Sequence, residues 1–176
     1  NKEMTIVDYL RANNYDGYSQ YTIMIRDCDL SSKLNPEIAL YLNPNIEYKI
    51  DVLTDGIWPF KDINCTNKRS AFDSVRKSVI EYYNDKFMDK KRNLCWNHNL
   101  TTCTMSYYDY TIVANYKYVD FLLEFNSVDS MSKSYFDKEY SNLNIDKLIE
   151  LKLITCDDDH YCINDQFKYK SKLVKL

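Results

Sequence analysis

Glycine occurs at only two positions in this 176-residue chain, Gly17 and Gly56. A loop that cradles a phosphate group needs several glycines in a short stretch, because the backbone itself must approach the ligand closely. The sequence therefore excludes nucleotide binding through a Walker-type or a Rossmann-type loop.

The rest of the composition is that of a globular protein, with 45% hydrophobic and 28% charged residues. The length predicts one domain, residues 1–176. The formal net charge is −3 and no segment is strongly basic, which argues against nucleic-acid binding. No window approaches the roughly 18 consecutive apolar residues that cross a bilayer, so we expect no membrane span.

The chain contains seventeen tyrosines but only two glycines and three prolines, and Asn, Lys, Ile and Asp are abundant. This bias is typical of proteins encoded by AT-rich genomes, including those of many poxviruses and malaria parasites. It indicates a kind of source and carries no information about chemistry.

Six cysteines and two N-glycosylation sequons, at Asn64 and Asn99, point to a compartment. An even cysteine count together with sequons predicts a secreted or secretory-lumen glycoprotein with three disulfides. A chain that begins at Asn1 also fits removal of a signal peptide, although a fragment would begin in the same way. The alternative is an intracellular chain with six thiols and sequons that arose by chance.

The disulfide connectivity is open, because six cysteines allow 15 pairings. Spacings typical of zinc ligands are missing from the sequence, so we expect no metal site. Proximity along the chain favours three pairs: Cys156–Cys162, Cys95–Cys103 and Cys28–Cys65.

Hydrophobic periodicity predicts strands in the first third of the chain and a helix after them. "YTIMI", residues 21–25, alternates, and "IALYL" and "IEYKIDV", residues 38–42 and 46–52, flank an Asn-Pro turn. From Ser70 to about Asp89 the apolar residues recur at helical spacing.

The second half of the chain predicts more strands, two helical regions and a hairpin. Thr101–Tyr107, Tyr110–Val113 and Tyr116–Phe125 have the Thr, Tyr, Val and Phe content of strands. Helical spacing returns at residues 131–136 and 145–149, and residues 151–164 fit strand, turn, strand. The order predicts an α+β domain, stapled by disulfides, with helices covering an antiparallel sheet.

The stretch "LITCDDDHYC", residues 153–162, places three aspartates and one of the two histidines between two cysteines. Adjacent aspartates direct their carboxylates differently, and a turn tip is poorly buried, so the shifted pKa of an acid/base catalyst is not expected there. A calcium loop would need a glycine at its bend. We predict a hairpin with a solvated acidic tip and no catalytic or metal-binding role.

No other part of the sequence assembles a catalytic set. His98 lies in "CWNHN", beside cysteines and a sequon, where a carboxylate to orient it is hard to place. A cysteine nucleophile needs a free thiol of low pKa, and serine motifs with flanking glycines are missing. We therefore expect a protein that is not an enzyme and that uses no cofactor.

The aromatic excess favours recognition of another protein, because Tyr, Trp and Phe supply large, rigid contact areas. The segment "DGIWPF", residues 55–60, concentrates such side chains, and Trp58 and Phe60 are the predicted partner-binding residues. Alternatively, these rings plug the edge of the sheet. In that case we expect the partner on the exposed side of the predicted helix: Arg76, Lys77 and Glu81.

The order of the segments resembles the peptide-platform half of MHC class I molecules, and more closely the small versions that poxviruses secrete as decoys for immune receptors. Five segments carry the resemblance: "YTIMI", "IEYKIDV", "AFDSVRKSVIEYY", "NLTTCTMSYYDY" and "YKYVDFLLEF". Such platforms often bridge a cysteine in the second half of the sheet to one in the second helix. The resemblance thus implies a bridge between Cys103 and Cys156.

These features together predict a secreted, glycosylated, disulfide-bonded protein that binds a host protein, either an immune receptor or its ligand, as a viral or parasite immune-evasion factor. Two other classes stay open. One is an intracellular viral interaction or regulatory protein with free cysteines. The other is a structural surface-coat module, which would self-associate into a homo-oligomer.

Overall fold

The structure is a computed structural model that describes residues 2–41, 47–60, 72–88 and 92–176. The chain clusters into two compact units, the first formed by Asn1–Ile63 and Asp73–Cys95 and the second by Asn64–Phe72 and Trp96–Leu176. The described residues contain six α-helices and two three-stranded sheets. This content confirms the predicted α+β class, with small sheets.

The first unit is helical, with α1 at Lys2–Ala12, α2 at Tyr18–Ala39 and α3 at Asp73–Lys86. Helices α1 and α2 pack against each other. Gly17, directly before α2, has a φ of 88°, a left-handed conformation in which glycine meets no steric penalty. The chain can therefore reverse within a few residues.

Helix α2 corrects the prediction of a strand at "YTIMI". Its buried residues Asp27, Ser31, Leu34 and Ile38 recur every three or four positions, which is the period of one helix face. The alternation of the apolar residues in "YTIMI" covers only five positions of a 22-residue helix. It is too short to indicate the real period.

The predicted strands at residues 38–42 and 46–52 are also wrong where the structure describes them. Ile38 and Ala39 belong to α2, whereas residues 42–46, with the predicted Asn-Pro turn, lie outside the described residues. Residues 47–54 form no helix, and they pair with no strand in the part of the chain that the structure describes.

Helix α3 confirms the helix predicted after Ser70, although Ser70 and Asp89 themselves lie outside the described residues. Polar groups join α3 to α2: Glu37 accepts hydrogen bonds from the Tyr82 hydroxyl and the Lys86 ammonium group. The hydrogen bond from Lys86 lowers the pKa of Glu37, with a further contribution from Tyr82.

In the second unit, β1 at Thr102–Tyr107 and β2 at Tyr110–Asn115 confirm two of the predicted strands, and they pair as an antiparallel hairpin. Strand β6, at Leu173–Lys175, adds to the other side of β2 in parallel. This first sheet is therefore mixed, in contrast to the purely antiparallel sheet that we expected.

The second sheet contains β3 at Ser130–Ser132, β4 at Ile154–Asp157 and β5 at His160–Ile163, in the order β3-β5-β4. All its pairs are antiparallel. The hairpin of β4 and β5 confirms the strand, turn, strand prediction for residues 151–164.

The segment predicted as a strand at Tyr116–Phe125 is helix α4, Tyr116–Glu124. Asn115 caps it, because its side-chain oxygen accepts a hydrogen bond from the Lys117 N–H at 3.2 Å. The helix buries Tyr116, Val119, Phe121 and Leu122. Two short helices complete the unit, α5 at Lys133–Glu139 and α6 at Ile145–Glu150, in the regions where helical spacing was predicted.

Phe121 lies at the centre of the core of the second unit and is fully buried. The rings of Phe125, Phe136 and Tyr140 meet its ring edge to face, with centroids 5.4, 5.3 and 5.2 Å away. This arrangement adds to the stabilisation that the buried area alone provides.

The five cysteines in the described part of the chain are thiols, and Cys65 lies outside it. The predicted Cys156–Cys162 bridge does not fit the hairpin. Cys162 pairs with Thr155 and Cys156 pairs with Tyr161, so the two cysteine side chains point to opposite faces of the sheet. The disulfide staples that we expected are thus not found among these residues.

Candidate protein-binding site

Three side chains of α2 hold residues 50–54, whose alternate N–H groups face the helix as in an extended chain. We call residues 47–54 the extended segment. Asp27, Ser31 and Asn35 are four positions apart and lie on one face of the helix. Each of them accepts one backbone N–H of the segment, and the three donors are every second residue: Ile50, Val52 and Thr54. We call these three side chains the polar ladder.

Asn35 and Ser31 replace the bonds that a neighbouring strand would make. The Asn35 amide accepts the Ile50 N–H at 2.7 Å and donates to the Ile50 carbonyl at 2.8 Å. The Ser31 hydroxyl accepts the Val52 N–H at 2.8 Å and donates to the Asp27 carbonyl within the helix. The backbone groups of Ile50 and Val52 that face α2 therefore have partners without a sheet on that side.

Asp27 forms the third rung and is the most connected of the three. Its buried carboxylate accepts hydrogen bonds from the Thr54 N–H at 2.7 Å, the Thr54 hydroxyl at 2.8 Å and the indole N–H of Trp58 at 2.8 Å. Three donors compensate for the removal of this carboxylate from water. Asp27 thereby joins α2, the extended segment and the predicted binding residue.

A tight turn brings Trp58 back towards Asp27. The Ile57 N–H donates to the Thr54 carbonyl at 3.3 Å, and Gly56 has a φ of 72°. A turn with a left-handed third residue favours glycine at that position. The second glycine of the chain is thus required by this turn.

Trp58 and Phe60, which we call the aromatic pair, stack with their ring centroids 6.1 Å apart and their planes inclined by 3°. Trp58 is half-buried, whereas Phe60 keeps 44% of its surface exposed. The structure therefore places both predicted binding residues together. It gives them different roles, since Trp58 is anchored to Asp27 and Phe60 faces solvent.

An open depression lies beside the polar ladder. Its lining includes Cys28 and Ser32 of α2 and Tyr48, Lys49 and Asp51 of the extended segment. Burial raises the pKa of the Tyr48 hydroxyl, which stays neutral around physiological pH. Lys49 and Asp51 form an exposed ion pair at 3.4 Å.

The alternative binding residues on α3 are arranged as follows. Lys77 and Glu81 are exposed, and Arg76 is mostly buried with its guanidinium 3.0 Å from the Asp73 carboxylate. Arg76 is therefore partly committed to its own helix. A partner would meet Lys77 and Glu81 first.

The acidic stretch forms the tip of the β4–β5 hairpin, and Asp157, Asp158 and Asp159 are all exposed, as is His160. The backbone of the tip makes its contacts: the Lys133 side chain donates to the Asp158 carbonyl, and the Lys133 N–H donates to the Asp159 carbonyl. The described residues contain no group of three or more His, Cys, Asp or Glu side chains that could hold a metal ion.

Of the two sequons, only that at Asn99 lies within the described residues. Asn99 is exposed, in a short 3₁₀ helix at His98–Leu100, and Asn115 donates to its carbonyl at 3.0 Å. His98 is buried against the Tyr116 ring. Asn64 lies in the part of the chain that the structure does not describe.

Asp27, Ser31 and Asn35 were not predicted as site residues. Their signal in the sequence is a small polar residue at every fourth position, within "DCDLSSKLN". That signal has meaning only on a helix, and the region before it was interpreted as a strand.

No protein-family profile matches the sequence, and no curated protein is significantly similar to it. Among the described helices, none has the length and apolar character of a membrane-spanning segment. The function is therefore argued from the site itself.

Proposed function

We propose that the chain is a binding protein that contacts another protein through the aromatic pair. The observation that carries the proposal is the bond from the Trp58 indole to the buried Asp27, with the exposed Phe60 ring stacked on Trp58. Aromatic side chains in fixed positions are typical centres of protein interfaces.

Fixing the rings before binding lowers the cost of association. A mobile side chain loses about 0.5–1.5 kcal/mol of free energy when an interface immobilises it. Here the hydrogen bond to Asp27 holds Trp58, and stacking on Trp58 restricts Phe60. Much of the free energy needed to immobilise the two rings is therefore already spent before a partner binds.

We further propose that the partner is a host protein, an immune receptor or its ligand, and that the chain acts outside the cell as a secreted viral or parasite glycoprotein. Support comes from the even cysteine number, the sequons and the composition. The disulfides of this proposal use pairs other than Cys156–Cys162, and Cys103 with Cys156 is the pair that the MHC-like resemblance implies.

A second candidate is an intracellular interaction or regulatory protein, in which the described cysteines would stay unbonded, as they are in this structure. The same aromatic pair would serve it, with a partner inside the cell. The two candidates differ in compartment and in the oxidation state of the cysteines.

The test of the binding surface compares three alanine variants against a panel of immobilised host receptor ectodomains and their ligands. Phe60→Ala should weaken binding about thirtyfold, the loss of about 2 kcal/mol that is typical of an interface anchor, while leaving the melting temperature near that of the wild type. Trp58→Ala should reduce both affinity and stability, because it also removes a donor from Asp27. Tyr9→Ala is the matched control, since Tyr9 is another exposed aromatic residue of the first unit.

The proposal fails if Phe60→Ala binds as the wild type does. Trp58→Phe refines the comparison, because it keeps a ring in the stack and removes only the indole N–H. Normal binding per folded molecule for both Trp58 variants would assign Trp58 to the structure alone and move the search to Lys77 and Glu81.

A further inference from the structure

The extended segment has a second edge that faces away from α2. Successive peptide groups of an extended chain point to opposite sides, so the groups of Lys49, Asp51 and Leu53 point away when those of Ile50 and Val52 meet the polar ladder. Among the described residues, none forms a backbone hydrogen bond with these three. An edge of this kind is a template for another strand.

We infer that this edge pairs with the same edge of a second copy of the chain. In an antiparallel pair with its twofold axis at Ile50, Lys49 of each copy lies opposite Asp51 of the other. Opposite charges that face each other across two strands stabilise the pair. The same register directs the backbone groups of Lys49 and Asp51 at each other, which allows four N–H to carbonyl bonds.

The charges also select this register. With the axis at Asp51, the two Asp51 carboxylates would face each other, and like charges in that position are unfavourable. The Lys49 and Asp51 side chains are 79% and 54% exposed, so both are accessible to a second strand. The two ion pairs that the copies form within their own chains can be exchanged for two ion pairs between the copies.

Sedimentation equilibrium of the full chain between about 1 and 200 μM, the range of weak self-association, provides the first test. We expect a monomer–dimer equilibrium for the wild type. Lys49→Asp places a carboxylate at position 49 of each copy opposite Asp51 of the other copy. We expect this repulsion to raise the dissociation constant of the dimer about tenfold. Asp51→Lys should do the same with two ammonium groups.

The double variant Lys49→Asp with Asp51→Lys restores opposite charges in the same register, and it should dimerise within about threefold of the wild type. Lys170→Asp is the matched control, because it makes the same change in net charge as Lys49→Asp at an exposed position of the second unit and should leave the equilibrium unchanged.

Asp51→Pro tests the backbone separately from the charge. It removes an N–H that faces away from α2, and proline is tolerated at such an edge position. The dimer should be lost while the far-ultraviolet circular dichroism and the melting temperature stay close to those of the wild type. If this variant unfolds, the charge-swap series still decides the question.

Three results overturn the inference: a wild type that is monomeric over the whole range, a dimer that single charge reversal does not weaken, and a double variant that does not recover. Carbodiimide cross-linking of mixed ¹⁴N and ¹⁵N chains should in addition give mixed-isotope Lys49–Asp51 links. Links of a single isotope only would count against the pair.

Discussion

At the scale of single residues, Asp27 has consequences beyond its own helix. It is a buried carboxylate with three donors, and all three belong to Thr54 and Trp58. The aromatic pair therefore depends on a residue that is more than twenty positions away in the sequence.

Replacing Asp27 with alanine should destabilise the first unit by about 2 kcal/mol, because it removes charge-assisted hydrogen bonds and leaves buried donors without an acceptor. Asp27→Asn should be intermediate, since one amide oxygen can still accept. Asp29→Ala is the control, because Asp29 is an exposed aspartate of the same helix. Urea unfolding of the three variants measures the differences, and equal effects of Asp27→Ala and Asp29→Ala would contradict this role.

Sequence reasoning identified the aromatic pair and missed its support for a physical reason. Trp58 and Phe60 are conspicuous by residue type alone. A single aspartate is significant only once the chain has folded, when α2 meets the extended segment. Burial, and not residue type, makes Asp27 a key residue.

At the scale of elements, short alternating patterns proved unreliable. Val119, Phe121, Leu123 and Phe125 alternate as in a strand, and all four lie in or against the core. The buried residues of α4 also include Tyr116 and Leu122, however, which an alternating strand would have placed on its opposite face. The N-cap at Asn115 was the local signal for this helix. By contrast, α3 and the β4–β5 hairpin were predictable, because a long helical period and an acidic turn between short strands leave few alternatives.

The hairpin tip gives a prediction at this scale. Changing Asp157, Asp158 and Asp159 together to asparagine should shift the melting temperature by only about 2 °C or less, since the carboxylates are exposed and weakly interacting. The backbone carbonyls that bind Lys133 remain, and asparagine tolerates the positive φ of Asp158.

Leu153→Ala is the comparison for the hairpin, because Leu153 is fully buried beside it and its truncation should cost about 3 kcal/mol. Differential scanning calorimetry with and without calcium measures both variants. A calcium-dependent rise in the melting temperature of the wild type that the triple variant lacks would assign a metal to the tip.

At the scale of the whole molecule, the state of the cysteines separates the proposed compartments. Chain secreted from eukaryotic cells should show no free thiol when denatured without reduction, and its mass should be six hydrogens below that of the reduced chain, as three disulfides require. The same chain made in a reducing cytosol is the control. Four or more free thiols in the secreted chain would remove the extracellular proposal.

The count must be made on denatured protein because one thiol is protected by the fold. Burial, with a smaller contribution from Asp120, raises the pKa of the Cys103 thiol to about 11. At pH 8 little of it is thiolate, so it reacts slowly with alkylating reagents in the native state. Cys28, Cys95 and Cys156 are exposed and should react first.

The polar ladder joins two repeats of unequal length, that of the helix α2 and that of the extended segment. Four residues of a helix advance about 6.0 Å and two residues of an extended chain about 6.6 Å, so the two scales slip by roughly 0.6 Å at every rung. The shortest side chain, Ser31, occupies the middle rung, and the longer Asn35 and Asp27 span the growing offset at either end. Beyond them, Ala39 and Ile23 offer no polar group. The offset that accumulates at each rung therefore limits how many residues of an extended chain a helix can hold. On the side that faces α2, the segment meets a helix, so no sheet can grow there.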